Sequence, residues 1–268
     1  MTGNPGNLPA MDDTSVARFY DRLAADYHLI YRDWESSVAA QGAALDAVIR
    51  STLGPSPATV LDCACGIGTQ ALGLALRGHR VTGTDLSPAA ADRAGHEADR
   101  RGLAVPTSAA DMRSLPFEDA AFDVVVCADN ALPHLLTAED VRAALAEMRR
   151  VLRDGGLLLI STRDYDRIRQ SRPTSTAPQV NGEGNERTVT FQLWHWHEDG
   201  ERYDLEHFQL LPKGEDFDVQ VRRTTYWALP QDHLSDLAVE SGFTSPTWLP
   251  PEESSFFQPL LTARVPPA

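Results

Sequence analysis

From Thr59 to Thr162 short apolar runs alternate with helical segments. The runs are Thr59–Cys65, His79–Thr84, Ala104–Ser108, Phe122–Ala128 and Leu157–Thr162. Between them Gln70–Arg77, Pro88–Arg101 and Ala138–Leu152 have helical spacing, with Ser87 as an N-cap and Pro88 in the first turn. This order demands parallel βαβ units with right-handed crossovers, hence a doubly wound α/β sheet. Such sheets bind ligands beyond the carboxyl ends of their strands, where the strand order reverses. The residues that follow each strand are therefore the candidates for function.

The flanks read differently. Residues 1–13 are rich in Gly, Pro and Asn and predict a disordered lead-in. Residues 14–31 carry Val16, Phe19, Leu23, Tyr27 and Ile30 at helical spacing, with Thr14 or Ser15 as cap, and a second helix is predicted over 34–53. The segment 14–57 thus forms an N-terminal helical cover on a core spanning 58–170. Residues 171–186 predict a mobile loop, and a role for it as a lid is left open. The runs FQLWHWH and RYDLEHFQLL flank Asp199-Gly200, a hairpin signal, and 219–227 supplies a third antiparallel strand. The antiparallel insert, 171–228, therefore has three strands. The end of the core, 229–268, holds a helix over 230–242 and strands near 245–249 and 256–265. The expected sheet is seven-stranded and mixed.

Charge and cysteine usage exclude several classes. With 24 basic and 38 acidic residues the net charge is −14, which repels nucleic acid and anionic membranes. No apolar run reaches the length of a membrane span, and the N-terminus has no signal-peptide pattern. Cys63, Cys65 and Cys127 make an odd count and point to a reducing cytoplasm. Cys63 and Cys65 are expected on opposite sides of the chain, which argues against a shared metal. His195 and His197 share a strand face without a third ligand, and no metal is expected. The aromatic residues of the insert make a homo-oligomer an open expectation.

The first strand ends in Asp62-Cys63-Ala64-Cys65-Gly66-Ile67-Gly68. Glycines let the backbone turn and approach a ligand closely. Gly66, Gly68 and Ala71 match a loose G-x-G-x-x-A, which raises a nicotinamide-dependent oxidoreductase as an alternative. Asp62 argues against it, because a carboxylate there repels pyrophosphate and suits a cationic, phosphate-free ligand. Asp85 closes the second strand, where it can accept from both ribose hydroxyls. Asp111 and Met112 follow the third strand, suited to the edge and face of an adenine.

Taken together, VLDCACGIGTQ, GTDLS, AADM, FDVVVCADNALPHL and VLRDGGLLLIS resemble the motif series of class I methyltransferases over residues 58–165. CADNALPHL, STRDYD and YHLIYRDWE further resemble the glycine and sarcosine N-methyltransferase group. The resemblance implies a Rossmann-like fold, S-adenosyl-L-methionine as cofactor, S-adenosyl-L-homocysteine as product and a small-molecule acceptor. It implies that Asp62, Ala64 and Gly66 line the methionine end, that Asp85 and Leu86 hold ribose and adenine, that Asp111 and Met112 hold the adenine, and that Gly68 and Ala128 also bind the cofactor. Asn130 matches a substrate-contacting asparagine, and Arg163 matches an arginine that pairs with a substrate carboxylate. Tyr27, Tyr31 and Tyr226 fall where that group places substrate- and cofactor-facing tyrosines. The N-terminal helix lacks a basic residue where the animal enzymes place one on the cofactor.

The expected reaction is N-methylation of an amine or amino acid, which needs orientation more than a base. O- or C-methylation is the alternative, with His134 as the base. A cofactor-binding protein without turnover is a further one. Trp194 is expected to wall the acceptor site.

Overall fold

The computed structural model describes residues 13–214 and 216–267. The expected lead-in lies almost wholly outside them. Helix α1 (Asp13–Leu23) already runs at its first described residue, so Thr14 and Ser15 lie within it and do not cap it. The expected long helix stops at Leu23, and Tyr27–Ile30 form a separate 3-10 turn. Tertiary donors explain the break. Arg93 donates to the carbonyls of Ala24 and Ala25, Gln209 to that of Asp26 and Arg222 to that of Arg22. Carbonyls that would have continued the helix are occupied by side chains from elsewhere.

Helix α2 (Trp34–Leu53) leads into β1 (Thr59–Asp62), α3 (Thr69–Leu76), β2 (Arg80–Asp85), α4 (Pro88–Arg100), β3 (Thr107–Ala109), β4 (Phe122–Cys127), α5 (Ala138–Val151) and β5 (Leu152–Ser161). Strand β3 is shorter and later than its apolar run, because Pro106 cannot donate and offers only its carbonyl, to Gly83 N–H. Strand β5 begins earlier than expected. Gly155, at φ +70°, is absorbed into the strand where the register against β4 shifts.

Helix α6 (Tyr165–Ser171) then opens the insert, made of β6 (Gln179–Asn181), β7 (Thr188–Trp196), β8 (Arg202–Lys213) and β9 (Asp216–Trp227). This sheet has four strands, in the order β6-β7-β8-β9, where three were expected. The extra strand falls in the expected loop. It is polar and lacks a period-two pattern, but β7 offers it backbone partners, and Asn181 ties it to the carbonyls of Leu29 and Tyr31. Helix α7 (Gln231–Glu240), β10 (Thr244–Leu249), helix α8 (Pro251–Ser254) and β11 (Leu260–Arg264) complete the chain.

The main sheet has seven strands in the order β10-β11-β5-β4-β1-β2-β3. Strand β11 runs antiparallel to both neighbours, and the others are parallel. Successive residues alternate between two cores. Leu61, Val125, Leu158 and Ile160 pack with α5 and α7. Val60, Val124, Val126 and Leu159 pack with α2, α3 and α4. Cys63 belongs to the first core and Cys65 to the second, on opposite faces, and all three cysteines are free and buried. Among the described residues no helix is long and apolar enough to cross a membrane. Strand order reverses between β1 and β4, and their carboxyl ends form the place to look.

Candidate active site

Those ends open onto a cavity of about 780 Å³, counting its mouth open to solvent. Its walls are the Cys63–Gly66 loop after β1, Asp85 and Leu86 after β2, Ala110–Arg113 after β3, and Ala128 and Asp129 after β4. Tyr20, Tyr27 and Tyr31 close it from the N-terminal segment, and His134 lies at its edge.

Asp85 is the anchor of this wall. Its Oδ2 accepts Gly66 N–H at 2.8 Å and its Oδ1 accepts Ser87 N–H at 2.8 Å. A carboxylate has about four acceptor positions, so capacity toward the cavity remains. Burial pushes Asp85 up to about 6, although the Ser87 and Gly66 amides pull it down. Gly66 itself sits at φ +53°, a conformation natural to glycine, and its amide is spent on Asp85.

Two expected lining residues do not reach the cavity. Gly68 caps α3 at φ +97° and packs on Leu72 and Ala94. Asp62 lies beneath the loop, wholly buried, and among the described residues neither oxygen has a hydrogen-bond partner. The chain turns after β1 so that the backbone of Ala64–Gly66 intervenes. Burial raises Asp62 to about 7; the more distant Ala64 and Ala71 amides oppose this and the Asp85 charge adds to it.

Asp62→Asn should therefore be stabilising in a pH-dependent way. A carboxylate whose folded pKa is raised stabilises the fold fully below its ordinary pKa and loses that contribution as pH rises toward 7. The amide does not titrate. The stability of the variant relative to the native protein should grow by roughly 2 kcal/mol between pH 5 and pH 7, at up to about 1.4 kcal/mol per unit, and level off above pH 7. Urea unfolding at pH 5, 6, 7 and 8 measures this, and a pH-independent difference would show that Asp62 is solvated.

Asp111 and Met112 line the cavity as expected. Asp111 also accepts Arg113 N–H at 2.8 Å and pairs with the Arg113 guanidinium at 2.7 Å. Burial works to raise its pKa, but Arg113 outweighs it and holds the group below the usual carboxylate range.

His134 is engaged at both ring nitrogens, with the Tyr20 hydroxyl at 2.8 Å and the Thr224 hydroxyl at 3.3 Å. Burial pushes it down to about 3. It is a neutral spacer under the Tyr226 ring, 4.2 Å away between centroids, and a poor general base near neutrality.

The remaining expected residues gather in an adjoining chamber of about 460 Å³, which shares Tyr20, Tyr27 and Asp129 with the first cavity. Asn130, Arg163 and Tyr226 line it, with Gln192, Leu205 and His207. Arg163 follows β5, and its backbone N–H donates to Asn130 Oδ1 at 3.1 Å. Its guanidinium donates to Tyr203 Oη at 2.7 Å and Gln192 Oε1 at 3.3 Å, and lies over the rings of Trp194 and Tyr226. Among the described residues it forms no ion pair. Asn130 Nδ2 is buried and has no partner. Trp194 reaches only the outer groove between the insert and the helical cover, together with Arg163, Gln192 and Tyr31. His195 and His197 bond to Glu206 and Asp204 across the sheet, each at 3.2 Å.

Tyr20, Asp129, Gln192 and Gln258 were not expected. Tyr20 precedes Tyr27 by seven residues, a same-face spacing on a helix that could have found it. Asp129 follows a strand end, the same position that singled out Asp62, Asp85 and Asp111. Gln192 and Gln258 carry no such signal.

Residues 60–156 match the family model described as a methyltransferase domain. A glycine/sarcosine N-methyltransferase of Parasynechococcus marenigrum is 36% identical over 137 residues, 51% of this chain and 48% of that protein. A demethylmenaquinone methyltransferase of Deinococcus radiodurans is 34% identical over 149 residues, 54% of this chain and 56% of that protein. The chain spans about half the length of such curated relatives. Among solved structures, the CcbJ methyltransferase of Streptomyces caelestis superposes with a TM-score of 0.74 at 17% identity, covering 96% of this chain and 100% of that one. The sugar N-methyltransferase KedS8 of Streptoalloteichus does so at 0.72 and 20% identity, covering 99% and 97%. These last are likenesses of fold. The motif-bearing strand ends, the sheet order and the matched region agree: residues 60–156 are similar to a methyltransferase domain, and the chain has the fold of solved methyltransferases.

Proposed function

We propose that the chain transfers a methyl group from S-adenosylmethionine to the nitrogen of a small amine or amino acid. The cavity suits this cofactor. Asp85 has acceptor capacity left for the ribose hydroxyls, the Ala64–Gly66 backbone leaves room for the amino acid end, and Asp111 with Met112 offers an acceptor beside an apolar face for adenine. The bound cofactor would supply a methyl group activated on a sulfonium centre.

The observation that carries the acceptor assignment is the adjoining chamber. Among the described residues, Arg163 brings a guanidinium with no acidic group in ion-pair contact, and Asn130 brings a buried donor without a partner. Two such donors suit a carboxylate, since a guanidinium keeps N–H groups free after bonding to Tyr203 and Gln192. The chain's residues then bind and orient, and Tyr20, Tyr27 and Tyr31 keep water from the junction. The glycine/sarcosine and sugar N-methyltransferases among the similar proteins support a nitrogen acceptor. O- or C-methylation is less well served, because His134 is pushed down to about 3 and is already bonded.

Isothermal titration calorimetry with S-adenosylhomocysteine, and NADH as control, tests the cofactor. Binding of the first alone, followed by methylation in a panel of amines and amino acids, is the expected result. Binding of NADH alone would favour the oxidoreductase. Arg163→Ala should raise the acceptor KM by about 10-fold or more, the worth of a charge-assisted hydrogen bond, and leave S-adenosylhomocysteine affinity within a factor of about two. Equal loss of both would make Arg163 a structural residue.

A further inference from the structure

We infer that Asp129 receives the acceptor's nitrogen: its carboxylate holds the amine as an ammonium ion and takes the proton that must leave before methylation. This rests on the N-methylation reading above. Asp129 and Asn130 both have left-handed backbones, at φ +55° and +66°. That conformation is uncommon for residues other than glycine and gathers at functional sites. Ser161 imposes it, with its Oγ accepting Asp129 N–H at 2.8 Å and its carbonyl accepting Asn130 N–H at 3.1 Å.

The turn puts the Asp129 side chain at a junction. Alone among the described residues it lines the cofactor cavity, the acceptor chamber and the outer groove. Its Oδ2 accepts the Tyr31 hydroxyl at 3.0 Å and its Oδ1 accepts Gln258 Nε2 at 3.4 Å. Both donors are neutral, and among the described residues Asp129 has no ion pair. Arg163 acts on it only from beyond ion-pair distance, and a carboxylate shielded from water with no cation in contact is a receptor for one. With Arg163 across the chamber, the pair matches a zwitterion, with ammonium at Asp129 and carboxylate at Arg163.

In the proton step the N–H bond of the ammonium breaks and its electron pair stays on nitrogen. An O–H bond forms at Asp129, and the proton leaves through the groove. Burial pushes Asp129 up to about 6, opposed by the Tyr31 hydroxyl, Arg163 and Gln258. The groups around it do not titrate near this value. Tyr20, Tyr27 and Tyr31 on the N-terminal segment and Tyr226 on β9 are raised by burial, while His134 and His207 are lowered to about 3 and about 4. Arg163 after β5 stays charged. Asp85, on the far side of the cavity, is raised to about 6 as well, so the signals must be separated by substitution.

The test uses the protein saturated with S-adenosylhomocysteine, carboxyl-¹³C-labelled at aspartate and titrated by NMR. The Asp129 signal is the one missing in Asp129→Asn. Methylammonium chloride should lower its midpoint by about one unit or more, and methanol should not. Tyr31→Phe, which deletes the donor at Oδ2, should raise the midpoint and identifies the signal if Asp129→Asn does not fold. No response to methylammonium would overturn the proposal. With an amine acceptor, Asp129→Asn should lower kcat/KM by about 100-fold and abolish the loss of rate below pH 6. It should leave S-adenosylhomocysteine affinity unchanged. Native turnover and pH profile in this variant would remove Asp129 and leave N-methylation standing. A methylammonium response in a protein that methylates no amine would do the reverse.

Discussion

Asp85→Ala is expected to weaken S-adenosylhomocysteine binding by about 100-fold or more, roughly 2.7 kcal/mol at about 1.4 kcal/mol per decade. Two losses add. The alanine cannot accept from the ribose hydroxyls, and hydrogen bonds to a charged group are worth roughly 1.5–3 kcal/mol each. It also releases Gly66 N–H and Ser87 N–H, the two amides that position the loop after β1 and the start of α4. Asp85→Asn keeps the shape but must turn an amide N–H toward one of those donors, so its affinity should fall between native and alanine. Calorimetry gives both constants, and circular dichroism confirms that the variants are folded. An unchanged affinity in Asp85→Ala would remove the ribose assignment and with it the orientation of the cofactor.

Gly73→Ala should produce the largest loss of stability. A Cβ on Gly73 would lie 2.4 Å from the Val38 carbonyl oxygen and 2.8 Å from Gly42 Cα. Both are backbone atoms of α2, so no side chain can swing away. The helices must part, and the buried bonds between them go with the contact: Trp34 Nε1 to Thr69 Oγ1 at 2.8 Å and Gln70 Nε2 to Gln41 Oε1 at 2.7 Å. Overpacking against backbone belongs at the upper end of its usual range, about 3 kcal/mol. For a chain of this size that is on the order of 10 °C in Tm. Scanning calorimetry checks it. A Tm within a degree of native would mean that α2 and α3 do not pack this closely in solution.

The doubly wound sheet was legible because its strands are buried on both faces, and burial on both faces writes itself as an apolar run. The strand-end residues Asp85, Asp111 and Met112 were legible for a related reason, since the topology decides where ligands lie before any side chain is placed. The insert was half legible. Strand β8 has a clear period-two pattern, one face packed and one half-exposed, whereas β6 is polar and exists only because β7 offers it a partner.

Local sequence did not account for the two faces of Cys63 and Cys65: alternation puts residues two apart on one face, and these part only because β1 ends at Asp62 and the chain turns. It could not foretell that the backbone of Ala64–Gly66 screens Asp62 from the cavity, or that Gly68 turns inward as a helix cap. Those outcomes depend on the path of one loop between β1, β2 and α4. It could not end α1 at Leu23 either, because the donors that stop it lie some 70 to 200 residues further along the chain. The amino-acid sequence by itself determined the layered α/β fold and the strand ends at which a ligand would bind, both being consequences of hydrophobic periodicity and chain connectivity. Only the tertiary structure decided which carboxylate stands where the cavities meet. That choice rests on the left-handed turn held by Ser161, on Tyr31 from the helical cover and on Gln258 from the tail, three groups that meet at Asp129 only when the chain is folded.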